Sequence, residues 1–409
     1  MTTRPNGTAE DSTRTHPQLT LLAALLAMLG PFSIDTYLPS FPDIELEFGV
    51  GRALLSQSIA VYMAAFAIAT LFWGPLADRI GRRRVILASV TLFALASAGC
   101  ALAGNIHAFL LMRTLQGLAA SGSLIAGRAM IRDAHDARAA HRAMSQVTLL
   151  FALAPAVAPV LGGWLHDAYG WRSVFWFLGG YAGLLIALAC RVPETLAHAL
   201  RQSVRPLVVL RVYARSLRHR RYLAAIGTLS LSFAGLFLYI AGAPTVIYEF
   251  LGLGSEDFGL QFIPMVAGMM LGSLLSARLA RLWPAMRTID LGLGVMAAAV
   301  LFNLGLAVMA EATLLSVIAP LVLYALGLAL AMPPLTILAL DCFPHHRGAA
   351  TSMLGFVQML MNAAVASVAV PLLHTHWLHF ALGQSLFLAL ALLLWFRRTP
   401  APSAPIPSG

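Results

Sequence analysis

The sequence predicts an all-α membrane protein: twelve transmembrane helices in two pseudo-symmetric six-helix bundles. Three observations carry that expectation. Hydrophobic residues make up 59% of the chain and charged residues only 11%, where a soluble domain carries about 25% charged residues. Apolar windows of about 20 residues, enough to cross ~30 Å of hydrocarbon, recur from end to end. All 27 basic residues are arginines, concentrated in alternate connections between those windows, which is the charge pattern of a membrane protein with a fixed orientation.

Taken in order, the first six windows fall at 19–40, 54–77, 85–104, 107–131, 143–165 and 172–192. The second six fall at 222–247, 258–280, 289–310, 314–340, 349–373 and 377–396. The first run, from Leu19 to about Phe41, follows Arg4 and Arg14 as a signal peptide would. It exceeds the ~7–15 residues of an h-region and has no convincing cleavage site, so it is read as a retained span. The longest polar interruption, Arg191 to Arg221, separates the two sets. The organisation is therefore a tail (1–18), a first bundle (19–192), a basic linker (193–220), a second bundle (221–396) and a tail (397–409). Only Arg52 and Arg172 lie in connections on the opposite side, together with Asp43, Glu45, Glu47, Asp167, Glu249, Glu256, Asp257 and Glu311. The arginine bias places both termini in the cytoplasm.

The connection after the second window reads "WGPLADRIGRRRVIL" (73–87), and a degraded copy, "GSLLSARLARLWPAMRTI", follows the eighth. Gly74 suits close helix packing, and Asp78, near a helix end, can pair with arginine or a neighbouring helix N-terminus. The fourth window carries "RTLQGLAASGSLIAGRAMIRD" (113–133) and the fifth "APAVAPVLGGWL" (154–165). These stretches resemble, respectively, the loop 2–3 signature of the major facilitator superfamily, the helix 4 signature of proton-coupled drug exporters and the helix 5 signature of antiporters. Arg113, Gln116 and Gly117 match the second; Pro159, Gly162 and Gly163 match the third, Pro155 adds a kink, and Ser145, Ala154 and Ala158 replace expected glycines. With "SIDTYLPSFPDI" (33–44), "YGWRSVFWFL" (169–178) and "GAATSMLGFVQ" (348–358), the whole chain is similar to the Bcr/CflA subfamily of bacterial multidrug exporters. The resemblance implies a major facilitator fold in the bacterial inner membrane. It also implies a conformational latch between the halves, formed by Gly74, Asp78, Arg79, Gly81, Arg82 and Arg83, and a helix-5 antiporter motif at Pro155, Pro159, Gly162 and Gly163.

Asp35 is an acid deep in an apolar run, where a charge costs roughly 3 kcal/mol and is expected to face a cavity or a partner. It lies about 16 residues into the first helix, ~24 Å from the cytoplasmic side. Arg113 lies about six residues into the fourth helix from the other side, ~9 Å deep. Both fall in the outer third of a 30 Å slab, so the two can meet or share water. The expected proton-coupling pair is Asp35 and Arg113: burial favours the neutral carboxyl and a guanidinium favours the ionised one. A static structural pair, or an Arg113 that snorkels to the interface, are the alternatives. Ala27 stands where some related exporters carry a second acid, which makes one proton per cycle the simplest stoichiometry.

Polar and aromatic groups within spans supply candidate substrate contacts: Tyr62, Gln116, Gln146, Phe233, Tyr239, Gln358 and Asn362, with Met359 and Met361 as adaptable surfaces. His374, His376 and His379 form an HxHxxH run, but no Cys or acid joins them, so no metal is expected. Cys100, Cys190 and Cys342 read as structural thiols. A nucleic-acid binder needs a continuous basic face and a P-loop pump needs GxxxxGK[ST]; neither is present. With no catalytic constellation at membrane depth, an enzyme is not expected. The functional expectation is a monomeric multidrug efflux transporter exchanging periplasmic protons for small, mostly hydrophobic drugs, with lipid as its surroundings and no cofactor beyond the proton gradient. The alternative is a proton-coupled or facilitative importer or exporter of a small metabolite.

Overall fold

The computed structural model describes residues 17–196, 218–344 and 347–397. Most of both predicted tails, the body of the linker, and His345 and His346 lie outside the described residues. Among the described residues twelve helices are long and apolar enough to cross a membrane. They are α1 (Pro17–Phe48), α2 (Arg52–Ile80), α3 (Arg82–Ala101), α4 (Ile106–Ala134), α5 (Ala137–Tyr169) and α6 (Trp171–Arg191), then α7 (Arg220–Ala241), α8 (Ser255–Leu279), α9 (Ala285–Met309), α10 (Leu314–Leu340), α11 (Arg347–Leu373) and α12 (Trp377–Phe396). The expected windows all recur with ends moved by a few residues.

Helix ends follow local chemistry. Asn105 and Asp136 accept the Ala108 and Ala139 amides and so cap α4 and α5, satisfying donors that a helix leaves free at its start. Gly81 joins α2 to α3 without a loop by adopting φ 106°, a conformation side chains other than glycine rarely reach. One end of the molecule collects the acidic connections; the other collects the arginine-rich ones.

The sequence suggests an unbroken first helix, and here the structure differs. Regular helix stops at Asp35, a 3₁₀ turn covers Leu38–Ser40, and helix resumes at Phe41–Phe48. Pro39 and Pro42 lack the amide hydrogens that a continuous ladder needs.

Within the first six helices α4 packs on α2 and α3, and α1 packs on α4 and α5; within the last six, α10 packs on α8 and α9, and α12 on α7 and α9. The two sets meet at the acidic end. Arg52 of α2 donates to Thr245 Oγ1 at 3.0 Å, pairs with Glu249 at 3.0 Å and also pairs with Glu45. Gln57 donates to the Ser367 carbonyl at 3.1 Å. Tyr248 donates to the Pro39 carbonyl at 2.6 Å, and Ser255 bonds Asp167 at 2.5 Å. Both π-helical turns of the second set, Thr245–Phe250 and Val365–Ala369, touch the first turns of α2 through these bonds.

Gly163 presses against the Ser255 backbone and Val160 against Gly259, so one face of α5 is covered by the second set of helices. The same face, continued toward the arginine-rich end at 3.6 residues per turn, presents Leu149 and Ser145, and both are exposed. The molecule is thus closed at its acidic end and open between the halves toward the other.

A Cβ at Gly163 would overlap the Ser255 carbonyl oxygen. Overpacking of this kind costs about 1–3 kcal/mol, so Gly163→Ala is expected to lower the population closed at the acidic end by about tenfold. Spin labels at Leu46 and Glu256, both exposed, should then report longer separations; an unchanged distance distribution would show that the seam does not depend on this contact.

Candidate functional site

The break in α1 builds the site. When a helix ends, its last carbonyls lose their partners, and the Ser33 carbonyl is one of these. Arg113 of α4 donates to it through Nη1 at 2.9 Å, and the same nitrogen reaches Ser33 Oγ at 3.1 Å and Gln116 Oε1 at 2.8 Å. Gln116 in turn donates to Ser97 of α3 at 2.7 Å. The guanidinium carbon lies 4.4 Å from the Tyr37 ring centroid and 4.6 Å from that of Tyr62. Two aromatic faces therefore supply much of the electrostatic compensation that water would otherwise give. Arg113 is 0% exposed and, among the described residues, its Nε and Nη2 have no hydrogen-bond partner. It turns inward, not to the interface, which corrects the snorkelling alternative.

Asp35 is 4% exposed. Among the described residues it makes no ion pair with Arg113, and no hydrogen bond reaches its carboxylate; the static Asp35–Arg113 pair is absent from this structure. The reason is geometric: Arg113 is engaged by Ser33, two residues earlier and so about 200° around the helix. Asp35 closes the regular part of α1, where the negative end of the helix dipole adds no support for a second negative charge. Its neighbour Thr36 has its backbone pressed against Gly162 of α5, whose Cβ would overlap the Thr36 carbonyl oxygen. Gly162 and Gly163 thus hold two different surfaces, one beside Asp35 and one across the seam. Pro155 and Pro159 lie inside the same helix.

The expected cavity residues divide. Tyr62 joins the Arg113 cluster, 1% exposed and with its hydroxyl lacking a hydrogen bond. Gln116 is buried, and its side chain is used by Arg113, Ser97 and Cys100. Tyr239 is buried in a separate network: Asn303 Nδ2 donates to its hydroxyl at 2.8 Å and to Gln384 Oε1 at 2.9 Å, and Trp377 donates to Asn303 at 3.2 Å. Gln116 and Tyr239 are therefore internal ties within one half in this state, as polar groups in membrane helices often are. Gln146 is exposed on α5, and Phe233 is partly exposed and stacked with Phe237 on α7. Gln358 and Asn362 are one turn apart on α11, both buried, and Asn362 Oδ1 lacks a partner. Met359 and Met361 are partly buried on the same helix. Tyr37, Asn303, Gln384 and Trp377 are additions that the structure supplies.

The latch residues also differ from expectation. Arg82 bridges Asp78 at 2.6 Å and Asp133 of α4 at 2.9 Å. Glu194 accepts the Arg82 and Arg83 amides at 2.9 and 3.2 Å, capping α3. Arg83 donates to the Ala189 and Cys190 carbonyls at 3.0 and 2.8 Å, at the end of α6. These bonds tie α2, α3, α4 and α6 together within the first half, not one half to the other, because the halves are parted at this end. Arg79 is exposed. A Cβ on Gly74 would find its nearest neighbour, Ile125, at 4.0 Å, so close packing does not require glycine there.

Among the described residues no group of three or more His, Cys, Asp or Glu is placed to hold a metal ion. His376 caps α12 through the Leu378 amide, His374 bonds the Pro371 carbonyl, and His379 bonds Thr375.

A family model for the Major Facilitator Superfamily matches residues 22–366. The chain is 28% identical over 359 residues to a bicyclomycin resistance protein homolog of Haemophilus influenzae, covering 85% of this chain and 87% of that one. It is 27% identical over 374 residues to a chloramphenicol resistance protein of Pseudomonas aeruginosa, covering 87% and 86%. Among solved structures, a D-xylose–proton symporter superposes with TM-score 0.75 at 17% identity, covering 93% of this chain and 98% of that one.

Lysine cannot reproduce the delocalised guanidinium that Arg113 places against the Tyr37 and Tyr62 rings. Arg113→Lys is expected to cost about 1–3 kcal/mol, the range for hydrogen bonds to a charged group, and to lower the melting temperature of the purified protein in detergent. A variant that melts with the wild type would contradict the role given to this cluster.

Proposed function

The chain belongs to the Major Facilitator Superfamily, and from that premise we propose that it exports small, mostly hydrophobic drugs in exchange for protons. Transport, not catalysis, is the activity of this family, and the similar curated proteins are named for resistance to antibiotics. The observation that carries proton coupling is Asp35: a buried carboxyl without a described partner, beside the one contact that α5 makes with α1 through Gly162.

An ionised carboxylate in that setting is uncompensated, and protonation removes the charge. The acidic end is shut by the Arg52, Gln57, Tyr248 and Ser255 bonds, so in this state exchange at Asp35 runs through the opening toward the arginine-rich end. Opening of the seam would expose the same carboxyl to the other side. Alternating exposure of one titratable group to two compartments is what couples a proton gradient to a conformational cycle. In this reading Arg113 does not neutralise Asp35. It holds the broken end of α1 in place and keeps the surrounding field positive, which helps the proton leave.

The arginine bias supports a cytoplasmic arginine-rich end, cytoplasmic termini and insertion in the bacterial inner membrane. Partly exposed Phe233 and Met359, with the polar, exposed Gln146, fit a drug-sized, largely hydrophobic substrate. The transporter is proposed to act as a monomer, with the two halves of one chain forming the whole pathway.

Asp35→Asn keeps the shape of the side chain and removes the proton site. In everted vesicles with an imposed pH gradient, this variant is expected to lose uphill accumulation of chloramphenicol by at least tenfold while still equilibrating it downhill. Uphill pumping at the wild-type rate would remove Asp35 from the coupling mechanism.

A further inference from the structure

Arg128 of α4 is a second arginine within a span, and the Arg113 cluster does not absorb it. It lies fifteen residues beyond Arg113, about 22 Å along the helix axis toward the arginine-rich end. Its direction can be read from its neighbours. Gly127, one residue earlier and 100° to one side, packs on Ala23 and Leu26 of α1. Ile125, three residues earlier and so about 60° to the other side, faces Gly74 of α2, where an added Cβ would meet it at 4.0 Å. Arg128 therefore projects between the stripe of α4 that meets α1 and the stripe that meets α2, into the space between the halves. Its surface is exposed although protein surrounds it on most sides, the situation of a side chain in a crevice.

Among the described residues no hydrogen bond or ion pair reaches this guanidinium. The described acids at the arginine-rich end are committed elsewhere: Asp78 and Asp133 to Arg82, Glu194 to the start of α3, Asp136 to the cap of α5, Asp290 to Trp395 and Asp341 to Arg347. The opposite wall offers no replacement. α10 has no charged residue between Leu314 and Leu340, and neither does α11 from Gly348 to Leu373 nor α7 from Tyr222 to Ala241. That wall supplies apolar and neutral side chains such as Phe233 and Met359.

We infer that Arg128 is an anion-recognition point in the open cleft and that the preferred substrates are amphipathic organic anions, held by a carboxylate or similar group at Arg128 and by an apolar body against the second half. The inference rests on the export reading for its direction of transport but not for its binding site. A lipophilic cation entering the cleft meets an uncompensated guanidinium before it reaches Asp35, whereas an anion gains a charge-assisted hydrogen bond in a partly dehydrated setting. The negative interior of a cell also drives an exported anion outward.

The test uses one aromatic skeleton in three charge states: a naphthalene carboxylate, its primary amide and the corresponding aminomethyl cation. Affinities are measured on the full-length protein in phosphatidylcholine nanodiscs. Wild type should bind the carboxylate roughly tenfold more tightly than the cation, the worth of one charge-assisted hydrogen bond. Arg128→Gln should lower the carboxylate-to-amide affinity ratio by about tenfold, and Arg128→Lys should restore most of it. The proposal is overturned if the cation binds as tightly as the carboxylate, if the ratio is unmoved by Arg128→Gln, or if the carboxylate does not bind. Loss of carboxylate binding on adding phosphatidylglycerol would assign Arg128 to a lipid headgroup and equally overturn it. Chloramphenicol export by the wild type is scored separately, so failure of the export reading leaves the affinity result standing.

Discussion

The hydrogen bond from Arg113 to the Ser33 carbonyl is the interaction on which the first half depends. A helix that stops inside a membrane leaves carbonyls with no water to take them, and each costs several kcal/mol if left alone. A guanidinium buried without a carboxylate is also unfavourable. The two problems answer each other here: the free carbonyl of α1 receives the donor of α4, and the Tyr37 and Tyr62 rings lie against the cation. With that pairing made, α1 can turn after Asp35 without exposing a bare backbone, and Arg113 can be buried without drawing Asp35 into a permanent salt bridge. The carboxyl is left available because its obvious partner is occupied.

The second constraint is the absence of side chains at Gly162 and Gly163. Adjacent helix residues point about 100° apart, so two consecutive glycines let α5 approach two different backbones at once. One approach is to Thr36, next to Asp35; the other is to Ser255, across the seam. No side-chain network is needed to relate the acid to the closed end. A shift of α1 relative to α5 at Thr36 is transmitted by rigid backbone to the Ser255 contact one residue further along.

Much of the fold was legible because membrane insertion imposes length and charge rules that a sequence cannot hide. All twelve spans, the six-plus-six order and the pairing of the arginine-rich connections follow from apolar runs and arginine positions. The motif "YGWRSVFWFL" is explained after the fact by Glu47, which takes Trp171 at 2.6 Å and Arg172 at 2.5 Å and so pins the end of α1 to α6. What was not legible is rotation. Depth along a helix follows from residue number, and on depth alone Asp35 and Arg113 were placed together; which way each faces depends on packing, and it separates them. Gln116 and Tyr239 meet the same limit, since a polar residue in a span is equally suited to a cavity or to a neighbouring helix. The break after Asp35 did leave a signal, in Pro39 and Pro42. The latch arginines Arg82 and Arg83 make their bonds within the first half in this state, to Asp78, Asp133, Glu194 and the end of α6.

The two halves differ in the chemistry of their buried polar groups, although their helix order is the same. In the second half Tyr239, Asn303, Gln384 and Trp377 form a closed network of neutral donors and acceptors, which does not change with protonation in the physiological range. In the first half the corresponding depth holds a carboxyl and a guanidinium. On the proposed coupling, protonation at that depth acts on the first half and not on this neutral network. In the proposed cycle the second half contributes its seam with α2 and α5. Its neutral wall leaves Arg128 as the uncompensated charge on the open side of the cleft. On the proposed reading the asymmetry assigns charge change to Asp35 near the closed end and charge recognition to Arg128, about 22 Å beyond Arg113 along α4.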